Sequence, residues 1–356
     1  MKHHDSRGNS AQAADLADVQ NVGIPRSLLY HRYGTMWTTF FEALGRTVVV
    51  SEPSDRGVFE AGDAASVDEC CLASKLYLGH VRSLIGKTDA LFVPSIANLG
   101  HLKSFCTKFQ ALPDLVANSF VEANPRIISC LVEEQETHTH ERDSFLALAR
   151  RLGANPHEAK SAWKAAVHAQ EAADAAAQLA QERLLAAAEA KPAVERPLRI
   201  LVMAHPYVAH DPYIGGPVAD MLEEMGACVL FADRVDKERA YKASLEFSET
   251  LPWIINRELI GALMLLRDRI DGVVIVSAFP CGPDSMTNDA VTRRFHSKPT
   301  LVLTVDAQSG TAGMETRVES FVDILRYQGK GGYLHVRYRL EQDAAQSQGR
   351  CAIPFG

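Results

Sequence analysis

RILVMAHPYVAHDPYIGGPVADMLEEMGACVLFADR, residues 199–234, decides the fold. It reads as strand, loop, amphipathic helix, glycine, strand, with Gly226 at a helix C-cap and a short apolar strand at 227–231. Residues 21–52, NVGIPRSLLYHRYGTMWTTFFEALGRTVVVSE, have the same order, with Gly45 in the role of Gly226 and a β-branched strand at 47–50. The parallel continues outward. A helix is expected at 67–85 and a strand at 90–94 in the first half, a helix at 255–267 and a strand at 272–277 in the second. Lys87-Thr88-Asp89 precedes one strand and Arg269-Ile270-Asp271 the other. Further strands are expected at 126–132 and 300–304.

Strands alternating with helices imply parallel sheets covered on both faces. The fold class is therefore α/β, as two Rossmann/flavodoxin-like lobes, and the chain of 356 residues has the length for two domains. Residues 157–190, rich in Ala, Glu and Gln, form a strong helix ended by Pro192 and Pro197. That helix braces the lobes or serves a dimer contact. The expected organisation is a disordered tail at 1–20, a first lobe at 21–155, the connecting helix at 156–196, a second lobe at 197–340 and a tail at 341–356.

The composition is 47% hydrophobic and 23% charged, and no stretch has the unbroken apolar length of a bilayer helix. The polar N-terminal stretch lacks the apolar core of a secretory signal, so the expected location is cytoplasmic, without a membrane. A net charge of −7 leaves no basic excess for neutralising phosphates, which argues against nucleic acid as partner. Seven cysteines without an export signal are not expected to form a disulfide framework.

Ligands of open parallel sheets gather beyond the carboxyl ends of strands. Cys281 stands there, in Ala278-Phe279-Pro280-Cys281-Gly282-Pro283-Asp284-Ser285, and Cys106 occupies the related loop of the first half, in Ser104-Phe105-Cys106-Thr107-Lys108-Phe109. Ser66-Val67-Asp68-Glu69 reads as a capping box, which puts Cys70 and Cys71 in the first turns of a helix, where the dipole favours thiolate. The gaps between Cys71, Cys106 and Cys281 match no local cluster signature, so ordinary loop cysteines remain an alternative on spacing alone.

Together with Gly23-Ile24-Pro25-Arg26-Ser27-Leu28-Leu29-Tyr30 and Thr316-Arg317-x-Glu319-x-Phe321-Val322-Asp323, these segments resemble the 2-hydroxyacyl-CoA dehydratase D-component and related activase-associated proteins. The resemblance runs from about Val22 to Leu325 in the family's order. It implies a [4Fe–4S] cluster on Cys71, Cys106 and Cys281, with one iron lacking a protein thiolate and open to water or a substrate oxygen. It also implies an ATPase activator (activase) that supplies an electron for dehydrating a 2-hydroxyacyl-CoA. The chain has no Walker A pattern, so ATP hydrolysis would belong to that partner. An unlike D-type subunit or a homodimer would complete the assembly. The segment after Asp306, Ala307-Gln308-Ser309-Gly310, lacks the family's acidic residues. A double cubane would need about twice the thiolates.

Cys130 and Cys228 fall in apolar strands as core residues, Cys351 has no assignable role, and of the neighbours Cys70 and Cys71, which point about 100° apart on a helix, the resemblance implies Cys71 as the ligand. His205, Tyr207 and Ser285 are the substrate-binding candidates; for His205 a loop residue holding its own backbone is the competing reading. His101 is a weaker candidate, and Arg317 and Glu319 suit an internal ion pair as well as a binding role. His138 and His140 alternate with threonines on a polar segment and are expected to face solvent. A cluster-bearing enzyme, an accessory electron-relay subunit and a cluster-free Rossmann-like binding protein are the three readings.

Overall fold

A computed structural model describes residues 15–306 and 311–329. The first lobe runs β1 (Asn21–Ile24), α1 (Tyr30–Ala43), β2 (Thr47–Val50), α2 (Arg56–Ala64), α3 (Leu72–Leu84), β3 (Ala90–Phe92), β4 (Ser95–Asn98), α4 (Thr107–Gln110), α5 (Leu112–Ser119), β5 (Ile127–Ile128), β6 (Leu131–Glu133) and α6 (Glu141–Arg151). The long helix α7 (Pro156–Glu189) follows. The second lobe runs β7 (Arg199–Met203), α8 (Pro206–Ala209), α9 (Gly216–Glu224), β8 (Cys228–Phe231), α10 (Lys237–Phe247), α11 (Ile254–Leu266), β9 (Gly272–Ala278), α12 (Gly282–Arg294), β10 (Thr300–Val305) and α13 (Thr311–Gly329).

Each lobe carries a four-stranded parallel sheet, in the orders β2-β1-β3-β5 and β8-β7-β9-β10. The two orders are equivalent element by element, and the repetition extends to single hydrogen bonds. α1 ends with Gly45 at φ 74°, where Gly45 N–H reaches Glu42 O and Arg46 N–H reaches Phe41 O. α9 ends with Gly226 at φ 76°, where Gly226 N–H reaches Glu223 O and Ala227 N–H reaches Leu222 O. Both are Schellman caps, for which only a residue tolerating positive φ serves. Ahead of β3, the Asp89 carboxylate accepts from Asn21 N–H at the start of β1; ahead of β9, Asp271 does the same for Arg199 at the start of β7.

The internal helix pairs match as well. Gly79 of α3 faces the Val58 carbonyl and Gly261 of α11 faces the Ala240 carbonyl, each so closely that a Cβ would overlap the oxygen. α7 braces both lobes: it packs on α1, and the buried Gln181 accepts from Phe231 N–H and donates to the Phe231 and Arg234 carbonyls.

Four local expectations differ from the structure. The helix start lies at Leu72 with Cys71 as N-cap, not at Val67; Ser66 Oγ donates back to Asp63 O, so no capping box forms. α2 and the two-stranded β4–β6 sheet were absent from the strand–helix pattern. The strand expected at 126–132 breaks at Ser129-Cys130 into β5 and β6. Leu16 and Val19, assigned to the tail, are buried, and Asp15 and Asp18 pair with Arg151 and Arg126. Residues 1–14, the segment Ala307-Gln308-Ser309-Gly310, and 330–356 with Cys351 lie outside the described residues.

Candidate functional site

Three chain segments from two lobes start their helices at one place. Cys71 is the N-cap of α3, Cys106 of the short α4 and Cys281 of α12. Cys106 and Cys281 follow the third sheet strand of their respective lobes, the positions that the repetition predicts. The lobes are stitched together around them by backbone hydrogen bonds: Leu72 N–H to Phe279 O, Ser104 N–H to Pro252 O, and Ile254 N–H to Ser104 O, each 2.9 Å. The Leu72 bond explains where α3 starts. Its first amide is held by the other lobe, a partner that a local capping pattern cannot reveal.

All three cysteines line one cavity of about 60 Å³, walled largely by apolar side chains that include Leu28, Phe105, Phe109 and Trp253. That is room for about five waters. No two cysteines among the described residues are bonded to each other. Ser74 Oγ lies 3.2 Å and Lys108 Nζ 3.9 Å from Cys71 Sγ. Burial pushes the Cys281 thiol far up, Asp284, Cys71 and Cys106 push it further, and a hydrogen bond from the Asp284 backbone opposes them. Several thiolates facing one apolar cavity repel one another, and a bound cation reverses that cost.

His205 and Tyr207 also line this cavity and are buried. Tyr207 Oη lies 2.6 Å from His205 Nδ1, and burial followed by the neighbouring Cys281 and Asp284 keeps the phenol neutral. His205 Nε2 is 3.1 Å from Asp284 Oδ1, and a nitrogen of His205, Cys281 Sγ and an Asp284 oxygen all lie within 4.8 Å of one another. Asn256 Nδ2 donates to Asp284 Oδ1 at 2.9 Å and to Thr287 Oγ1 at 3.0 Å.

Ser285 is exposed, its hydroxyl donates to Cys281 O at 2.7 Å, and it lines a neighbouring groove between α12 and β10 that shares Ala278 and Cys281 with the cavity. Cys70 is buried and absent from the cavity wall; Cys130 and Cys228 are buried, and burial lifts the Cys130 thiol to about 12. His101, His138 and His140 are exposed. Arg317 donates to the Val302 carbonyl. The sequence reading passed over Asn256 and Asp284 as site residues. A signal for the first existed: Asn256-Arg257-Glu258 are three polar residues inside the apolar run of α11, all buried. Asp284 in the first turn of α12 looks like an ordinary helix-start acid, and nothing local separates the two roles.

The family described as the CoA enzyme activase uncharacterised domain matches residues 21–235. No curated protein matches the chain. Among solved structures, the periplasmic zinc-binding protein TroA of Treponema pallidum is 13% identical, covering 86% of this chain and 99% of that one, at a TM-score of 0.25. A periplasmic metal-binding protein of Candidatus Liberibacter asiaticus is 12% identical over 86% and 100% (TM-score 0.23). Glucosamine-6-phosphate deaminase of Thermotoga maritima is 10% identical over 88% and 85% (TM-score 0.21). Likeness at such TM-scores carries no argument. Among the described residues, no helix is long and apolar enough to cross a membrane.

Proposed function

The chain belongs to the family of the CoA enzyme activase uncharacterised domain, and from that premise we propose that its interlobe cavity holds a [4Fe–4S] cluster on Cys71, Cys106 and Cys281. The observation that carries this reading is convergence: cysteines far apart in sequence cap three helices from both lobes and face one small apolar space. When bound, such a cluster would accept and pass on a low-potential electron.

The surrounding residues suit that task. The Asp284 backbone N–H already reaches the Cys281 thiol, and Ser74 and Lys108 add donors at Cys71. Phe105, Phe109 and Trp253 exclude water, and the neutral Tyr207 adds no charge to the site. The backbone bonds between the lobes hold the cysteines in register without the cofactor. The electron donor in this reading is an ATPase activator, since this chain carries no nucleotide-phosphate motif of its own.

An acyl-CoA or similar small substrate meeting an exposed iron is the enzymatic form of the proposal. The second form is an accessory electron-relay subunit whose catalytic counterpart is another chain. Anaerobic purification with iron and sulfide counting tests the cluster. About four irons per chain is the expected result, and a colourless, iron-free protein from anaerobic cells overturns it. Mixing the loaded chain with activator, ATP, reductant and 2-hydroxyacyl-CoA separates the two forms, because only the enzyme dehydrates without an unlike subunit.

A further inference from the structure

The polar network behind Cys281 is satisfied apart from one atom. Tyr207 Oη pairs with His205 Nδ1, and because both neighbours of Nε2 are oxygens the ring carries a proton on Nε2. That nitrogen faces Asp284 Oδ1 at 3.1 Å and Asn256 Oδ1 at 3.2 Å. Asn256 Nδ2 donates to the same Asp284 oxygen. Asp284 Oδ1 thus takes the Asn256 amide and lies beside the His205 ring, while Oδ2, equally buried, has no partner among the described residues.

The position is costly as it stands. Asp284 is 3% exposed, and a buried acceptor without a donor forfeits its hydration without compensation, the more so when charged. Asp284 lines the same cavity as the cysteines, and its carboxylate lies within 4.8 Å of Cys281 Sγ. His205 is no competitor for a ligand role: one ring nitrogen is paired with Tyr207 Oη and the other with Asn256 Oδ1.

We propose that Asp284 Oδ2 is an oxygen ligand to the iron that three cysteines leave without a thiolate, an inference that rests on the cluster reading above. The carboxylate gives a lone pair to iron, and no atom or electron is transferred in forming the bond. Asn256, which donates to Oδ1, and His205, whose ring lies beside it, are positioning residues for the carboxylate.

The test compares full-length wild type, Asp284→Asn and Asp284→Cys, each reconstituted anaerobically with iron and sulfide. Asn keeps an oxygen for His205 and removes the charged ligand; Cys supplies a thiolate instead. The readout is loss of the fourth iron under mild ferricyanide oxidation, followed by the EPR signal of the three-iron cluster. Asp284→Asn is expected to lose that iron about tenfold or more faster than wild type, and Asp284→Cys to keep it at least as well. Equal rates in Asp284→Asn and wild type overturn the ligand assignment and leave the cluster reading standing. If Asp284→Asn fails to fold by circular dichroism, Asp284→Cys decides, and faster iron loss than wild type there overturns the assignment. A wild type that takes up neither iron nor sulfide overturns the cluster reading itself.

Discussion

Arg32 of α1 and Glu258 of α11 form a bidentate ion pair across the two lobes with both side chains buried, Arg32 Nη2 lying 2.8 Å from Glu258 Oε1. Breaking such a pair leaves an uncompensated buried charge, so Arg32→Ala or Glu258→Ala is expected to cost about 3–5 kcal/mol of stability. Replacing both by apolar residues of similar volume, Arg32→Met with Glu258→Leu, should recover most of that loss. Urea unfolding of the two single variants and the double variant measures the difference.

Much of the architecture is legible in the sequence because it is written locally. Gly45 and Gly226 mark the helix ends through positive φ, and unbroken apolar runs such as 272–278 mark buried parallel strands. Elements whose ends are set by distant partners are not legible. Ser66-Val67-Asp68-Glu69 has the letters of a capping box, yet α3 starts at Leu72, where Phe279 of the other lobe takes the first amide. α2 carries Gly57 and Gly62, which lower helix propensity; Gly62 is there because α3 backbone lies where a Cβ would go. The cysteines were legible through their motifs. The place of Asp284 beside His205 and Tyr207 was not, since they meet only when α8 and α12 are packed.

The same close helix contacts give a stability prediction. A Cβ at Gly261 would lie 1.7 Å from the Ala240 carbonyl oxygen, and one at Gly79 would lie 1.9 Å from that of Val58. Gly261→Ala and Gly79→Ala therefore force backbone apart and should cost at least about 1–3 kcal/mol. Gly57→Ala meets nothing closer than the Asp55 carboxylate at 3.3 Å, a movable side chain, and should be neutral or gain from better helix propensity. Thermal unfolding of the three variants gives the ranking.

His80 sets a pH dependence. It is wholly buried between Ser51 Oγ and Ser54 Oγ, each 2.9 Å from a ring nitrogen, and Ser54 continues to the buried Asp211 of the second lobe. Burial, and then the positive charge of Arg26, lower its pKa from 6.5 to about 4. The folded state thus holds a neutral ring while the unfolded chain takes up a proton below pH 6.5. Stability from this group is complete above pH 6.5, falls as the pH drops and levels off below about 4, a loss of order 3 kcal/mol. His80→Gln should flatten the slope of unfolding free energy against pH in that window. An unchanged slope would assign the acid sensitivity to other groups.

Neighbouring cysteines give the sharpest test of the site. Cys70 and Cys71 are adjacent in sequence, but Cys71 caps α3 and lines the cavity, whereas Cys70 lies in the preceding turn, buried and off the cavity wall. If the cavity binds the cluster, Cys71→Ala, Cys106→Ala and Cys281→Ala should each lose most of the iron after anaerobic reconstitution. Cys70→Ala and Cys130→Ala should keep about four irons per chain. Iron and sulfide counts with visible absorption spectra measure this directly. A Cys70→Ala protein stripped of iron beside a fully loaded Cys71→Ala protein would exchange their roles. Full loading of all five variants would move the cluster away from this cavity.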